Sequence, residues 1–154
     1  MEFIIFLSKI DKDIVELIKK ANYSIEENTS LCLIDKKFMG FHKKIDRSIV
    51  ICTKNAKEMG NYKKNKPLGN SDNHKTHLYL KRALRHEATH IAQSCNDDKI
   101  LGDIKNIEKK INKTKLKALE SSVKISGNHL KEVEAYILED KPKEVKKAIE
   151  KYCL

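Results

Sequence analysis

Apolar residues recur at every third or fourth position in several stretches of the chain, and this spacing predicts amphipathic helices. Five stretches have it: residues 11–21, His77 to Ser94, 103–125, His129 to Asp140, and Pro142 to Tyr152. Asp11 or Asp13 is predicted to cap the first helix, and Pro142 suits the first turn of the last one. Most of the second half of the chain is therefore predicted to be helical.

Three short segments are rich in β-branched or aromatic residues and predict strands. They are Leu31 to Ile34, Phe38 to His42 and Ser48 to Thr53. The polar residues 54–73 that follow contain two glycines and a proline and are predicted to form a loop. This order of elements predicts an α+β fold, in which a small antiparallel sheet packs on a mostly helical domain.

One predicted helix contains the sequence His86-Glu87-Ala88-Thr89-His90, which is an HExxH motif. Residues four apart project from the same helical face, so His86 and His90 can bind one zinc ion. Zinc lowers the pKa of a bound water to about 7, and Glu87 can accept its proton during attack on a carbonyl. The motif therefore predicts a zinc hydrolase with Glu87 as the catalytic base.

A catalytic zinc site needs a third protein ligand, and the helix predicted from His129 offers Glu132 and Glu134. These two are about 200° apart around a helix, so only one can face the metal. An HExxH motif followed by a helix with the sequence Glu-x-Glu-Ala resembles small gluzincin-type zincin metallopeptidases. The resemblance implies that Glu132 is the ligand, with Glu134 as the alternative. It also implies that Ala135 lets the two helices approach each other.

The resemblance covers residues 80–140 and implies a zincin-like domain, a Zn²⁺ cofactor, and a peptide or protein substrate. An edge strand of the small sheet would pair with an extended peptide. The Asp or Asn that orients a histidine ligand in the family corresponds to Tyr136 here, which could donate to a substrate oxyanion or simply pack. Gln93 matches relatives with HExxHxxQ. We expect a zinc metallopeptidase, and the alternative is an inactive zincin-like regulator or interaction protein.

The length of 154 residues suits a single domain spanning residues 1–154. The longest apolar run, Phe3 to Leu7, is far shorter than the roughly 20 residues of a transmembrane helix. It also lacks the basic start and cleavage site of a signal peptide. We therefore expect a cytoplasmic protein without a membrane partner, and the sequence does not specify its oligomeric state.

Two further features of the composition limit the possible partners. Of the 32 basic residues behind the net charge of +10, three are arginine, which leaves 29 lysines. Arginine is the usual reader of guanine and phosphate, so a nucleic-acid-binding protein is the least favoured alternative. The four cysteines lie beside apolar residues without a CxxC pair and are predicted to be buried free thiols.

Overall fold

Helix α3, His74–Cys95, is the element against which most of the others pack. The computed structural model describes residues 1–65, 73–102 and 111–154. The other helices of these ranges are α1 (Lys9–Lys20), α2 (Thr53–Met59), α4 (Lys113–Ser126), α5 (His129–Leu138) and α6 (Pro142–Cys153). The strands are β1 (Ser24–Glu27), β2 (Gly40–Lys43) and β3 (Ser48–Ile51). This arrangement confirms the predicted α+β class.

The sheet is mixed and not antiparallel as predicted. Its order is β1-β3-β2, with β1 parallel and β2 antiparallel to β3. The central strand β3 is buried along its whole length. The sequence Ser-Ile-Glu-Glu of β1 carries no strand signal. This strand forms because it pairs with the edge of β3 that β2 does not occupy. It is also held at its end, because the carboxylate of Glu27 accepts hydrogen bonds from the backbone N–H groups of Glu2 and Phe3.

The predicted strand from Leu31 to Ile34 is wrong, because a 3₁₀ helix spans Ser30–Leu33. The amide of Asn55 donates to the carbonyl oxygens of Cys32 and Phe38 at 2.9 and 2.8 Å. A side chain of α2 therefore binds carbonyl groups that a neighbouring strand would otherwise use. The predicted loop 54–73 is wrong over residues 54–59, which belong to α2. Residues 66–72 of that loop lie outside the described residues.

The remaining helices follow the predicted periodicity and differ from it at their ends. Helix α1 begins earlier than predicted, because Ser8 is its N-cap and Asp11 completes a capping box with it. Helix α4 begins at Lys113, capped by the side chain of Asn112. The part of the predicted helix 103–125 that covers residues 103–110 lies outside the described residues. No helix of the described ranges combines the length and apolar composition that a membrane crossing requires.

A buried ion pair joins α1, α3 and the end of α5. The guanidinium of Arg85 donates to both carboxylate oxygens of Asp11, at 2.7 and 3.1 Å, and to the carbonyl oxygen of Glu139 at 3.2 Å. Asp11 is fully buried. Removing one partner of such a pair costs about 3–5 kcal/mol. Since Arg85 precedes His86, this pair holds the HExxH segment in place against both neighbouring helices.

The four cysteines form two disulfides, so the prediction of buried free thiols is wrong. One bond joins Cys32 to Cys52, and the other joins Cys95, at the end of α3, to Cys153, at the end of α6. The paired residues are 20 and 58 positions apart in the chain. No local spacing reveals such pairs, because only the packing of distant elements brings the sulfur atoms together.

We expect protein purified without reductant to have no free thiols, so its denatured mass should lie below the reduced mass by two hydrogens per disulfide. Replacing Cys95 and Cys153 together by alanine should lower the free energy of unfolding by about 4 kcal/mol. Replacing Cys32 and Cys52 should lower it by about 3 kcal/mol, because the closed loop is shorter. Denaturant unfolding measures both losses. Alkylation of all four cysteines in unreduced protein would contradict the disulfides.

Candidate metal centre

Two histidines of α3 and one glutamate of α5 meet in the interface between these helices. Glu132 Oε2 lies 3.1 Å from His86 Nε2, and Glu132 Oε1 lies 3.1 Å from His90 Nε2. The two Nε2 atoms are 3.3 Å apart. All three side chains are buried, and their ligand atoms form a group that could hold a metal ion, which we call the metal group. Residues from two separate parts of the sequence therefore converge on one point.

The geometry and chemistry of this group fit zinc. Ligand atoms at 2.0–2.1 Å from a tetrahedral zinc lie about 3.3 Å from one another, which is the separation of the two Nε2 atoms here, and each of these nitrogens has one carboxylate oxygen of Glu132 at 3.1 Å. Two imidazoles and one carboxylate are also a ligand set found in catalytic zinc sites. The donor set thus matches a site in which one coordination position stays open for a reactant.

Glu87 lies on the side of the site that faces the sheet. A Cβ atom added at Gly40 of β2 would lie 2.9 Å from Glu87 Cγ and 3.0 Å from its Oε1. Such distances are shorter than van der Waals contact, so β2 passes this close only because residue 40 is glycine. Burial raises the pKa of Glu87, and the neighbouring His86 and His90 only partly offset this effect.

His86 is held from its other ring nitrogen by Glu139, a residue that the sequence analysis did not single out. His86 Nδ1 lies 3.3 Å from Glu139 Oε2, and Lys115 lies 2.7 Å from the second carboxylate oxygen. A carboxylate at this nitrogen orients the ring and directs Nε2 towards the metal position. Glu139 follows Glu132 by seven residues, so it lies two helical turns further along the same face. The spacing of seven residues from Glu132 is the feature of the sequence that could have identified Glu139.

His90 is held in the same way by Gln93, whose side-chain oxygen lies 2.8 Å from His90 Nδ1. Gln93 also donates to Glu134 Oε1 at 2.9 Å. Glu134, the alternative third ligand, does not join the metal group. Its two oxygens accept hydrogen bonds from the backbone N–H groups of Leu101 and Gly102. The sequence singled out Gln93 by its match to HExxHxxQ but gave it no role, and the structure shows that it joins His90 to Glu134.

Contacts within the site shift the pKa values of Glu132 and His86. Burial by itself would raise the pKa of Glu132, but hydrogen bonds with His86 and His90 outweigh it and hold that pKa well below its usual value. Burial likewise opposes charge on His86, yet its contacts with Glu132 and Glu139 raise the pKa of this imidazole well above the ordinary value. The carboxylate of Glu132 is therefore charged, and it would attract a cation placed between the three side chains.

Tyr136 and His42 pack against the two candidate histidine ligands. The ring of Tyr136 meets His86 edge-on, with centroids 4.4 Å apart, while its hydroxyl contacts Ser122 at 2.6 Å. Tyr136 therefore packs, and its hydroxyl contacts α4. His42 of β2 stacks on His90 with centroids 5.9 Å apart, and burial together with His90 lowers its pKa to about 3. A neutral imidazole thus lies beside the site.

A cleft of about 300 Å³ opens above the metal group. It lies between β2 on one side and the junction of α4 and α5 on the other, with α3 beneath. Strand β2 is at the edge of the sheet. Met39 O accepts from Cys52 N at 2.8 Å, so the antiparallel alternation turns the backbone groups of Gly40 and His42 away from β3. Within the described part of the chain no further strand pairs with this edge, so its backbone groups border the cleft.

One protein family matches the chain along nearly its whole length. The family model of a domain of unknown function, DUF8637, matches residues 3–154. The match includes α3 and α5, which supply the three candidate ligands. No curated protein and no solved structure matches the chain.

Replacing Gly40 by alanine should displace either β2 or Glu87, because the added Cβ would lie 3.0 Å from Val50 O as well. We expect the free energy of unfolding to fall by about 1–3 kcal/mol. The matched control is Gly102→Ala, whose Cβ would meet its nearest atom, Glu134 Oε2, at an ordinary 3.7 Å. Thermal unfolding measures both. Equal stability of the two variants would show that β2 does not press on Glu87.

Proposed function

The chain belongs to the DUF8637 family, and we propose that it is a zinc-dependent peptidase whose metal is held by His86, His90 and Glu132. One observation carries the proposal. The two carboxylate oxygens of Glu132 lie 3.1 Å from His86 Nε2 and His90 Nε2, and these two nitrogens lie 3.3 Å apart, so the donor atoms of all three residues surround one point. The carboxylate of Glu139 and the amide of Gln93 support the same assignment, because each orients one imidazole from behind.

In this proposal Glu87 is the catalytic base. When bound, zinc supplies Lewis acidity, which makes a water molecule acidic enough to attack at neutral pH and polarises a carbonyl. The carboxylate of Glu87 accepts the proton of the attacking water and later donates it to the leaving amine. Its position next to His86 and against Gly40 keeps the carboxylate within the cleft and beside the ligands.

A peptide is the substrate class that the cleft supports. The outward backbone groups of Gly40 and His42 can pair with an extended chain, as in other proteins that bind peptides by adding a strand to a sheet edge. Such a chain would pass directly over Glu87 and His90, because Gly40 touches the first and His42 stacks on the second. The scissile bond would then lie at the metal group.

The two disulfides bear on where this peptidase works. Disulfides persist in oxidising compartments and are rare in the cytosol. We therefore place the protein in an oxidising environment, in contrast to the cytoplasmic location predicted from the sequence. The thiol measurement described above tests the disulfides on which this placement rests.

Zinc content tests the proposed ligands. His86→Ala and His90→Ala should each abolish stoichiometric zinc, because two remaining ligands seldom hold the ion. Glu132→Gln should weaken binding more than Glu134→Gln, since Glu132 lies 3.1 Å from both imidazoles. Metal analysis of protein purified without chelators, by mass spectrometry, measures the loss. An effect confined to the Glu134 variant would overturn this ligand set.

Glu87→Gln tests the proposed reaction, because it keeps the shape of the side chain and removes its basicity. Zinc should stay bound, and hydrolysis of unfolded casein or a peptide library should fall by about 10²–10⁴-fold. Equal cleavage by both proteins would point to another base or to a contaminating protease. Full zinc without cleavage by the wild type would favour the alternative, an inactive metal-binding regulator.

A further inference from the structure

We propose that Glu134 is a positioning residue for His90 and acts on it through Gln93. The buried carboxylate sets the orientation of the Gln93 amide, and this amide sets which ring nitrogen of His90 carries the proton. The inference rests on the proposed zinc site, but it does not depend on peptidase activity.

The first step is the environment of Glu134. Its side chain is only 4% exposed. Oε1 accepts from Leu101 N at 2.8 Å and from Gln93 Nε2 at 2.9 Å, while Oε2 accepts from Gly102 N at 3.0 Å. Each of these donors is neutral. A buried carboxylate is costly, so a glutamate held in this way by two backbone N–H groups indicates a role beyond packing.

The second step is the orientation of Gln93, which is 1% exposed. Its Nε2 lies 2.9 Å from Glu134 Oε1 and 3.1 Å from the carbonyl oxygen of Lys131. Both of these oxygens can only accept hydrogen bonds. The reverse orientation of the amide would bring its own oxygen against two acceptors in a buried site. Gln93 therefore presents its NH₂ group to α5 and its oxygen to α3.

The third step is the tautomer of His90. Since Gln93 Oε1 lies 2.8 Å from Nδ1, that nitrogen must carry the proton and donate it. In the neutral imidazole that binds a metal, the lone pair then resides on Nε2, the atom that faces Glu132 Oε1 at 3.1 Å. For His86, the carboxylate of Glu139 contacts Nδ1 directly. For His90, the carboxylate of Glu134 acts indirectly, because the Gln93 amide lies between it and Nδ1.

Zinc affinity tests the inference. Glu134→Gln weakens the hold on Gln93, because a glutamine there can turn its NH₂ group towards the Gln93 amide and leave the carbonyl oxygen of Lys131 as its remaining acceptor. We expect the dissociation constant for zinc, from competition with a chromogenic chelator, to rise by about 10–100-fold. The matched control is Glu150→Gln, which changes the same side chain at an exposed position of α6. An unchanged constant in a folded Glu134→Gln protein would overturn the inference.

A double-mutant cycle separates positioning from a general loss of structure. Gln93→Ala removes the amide through which Glu134 acts. In that background, Glu134→Gln should change the dissociation constant for zinc much less than it does in the wild type, which gives a coupling between the two sites. Additive losses would mean that Glu134 acts on the site by another route.

A measurement on the unaltered protein completes the test. Two-bond ¹H–¹⁵N NMR spectra report which ring nitrogens of each histidine are protonated, and His90 should carry a proton on Nδ1 with or without zinc. An unprotonated Nδ1 would overturn the inference even if the variants do not fold. Failure of the wild type to bind zinc would instead overturn the proposed function, while the state of Nδ1 in metal-free protein would still test the inference.

Discussion

The interface between α3 and α5 is governed by the burial of three carboxylates, those of Glu132, Glu134 and Glu139, each at most 6% exposed. Buried charge destabilises a fold unless it is compensated, so the helices can meet only where partners exist. Glu132 has two imidazoles, Glu134 has two backbone N–H groups and an amide, and Glu139 has Lys115 and His86. These contacts set how far apart the helices lie and how they are rotated about their axes.

The cleft depends on a second constraint. Strand β2 runs alongside α3, and successive residues on one face of the strand contact residues progressively further along the helix. Gly40 lies against Glu87, His42 stacks on His90, and Lys44 forms an ion pair with Asp98 beyond the end of the helix. The strand therefore passes first Glu87 and then His90. Absence of a side chain at residue 40 permits the contact with Glu87, and the edge of β2, which no other described strand pairs with, lies beside the metal group.

Periodicity of apolar residues was sufficient to locate the larger helices, because their burial depends on one continuous face. It failed where structure depends on distant partners. The 3₁₀ helix Ser30–Leu33 forms because Asn55 donates to the carbonyl oxygen of Cys32, and β1 forms because β3 accepts a parallel neighbour. Both disulfides have the same cause. In each of these cases the decisive contact is made by a residue about 20 or more positions away, which local spacing does not report.

For the candidate site, the sequence by itself determined that His86 and His90 share one face and that Glu87 lies beside them, because a helix converts a spacing of four into adjacency. It left the third ligand open between Glu132 and Glu134 when judged on helical geometry alone. The rotation of α5 decided this, since it turns Glu132 towards the imidazoles and Glu134 towards the N–H groups of Leu101 and Gly102. That rotation depends on charge compensation across an interface, and only the tertiary structure contains it.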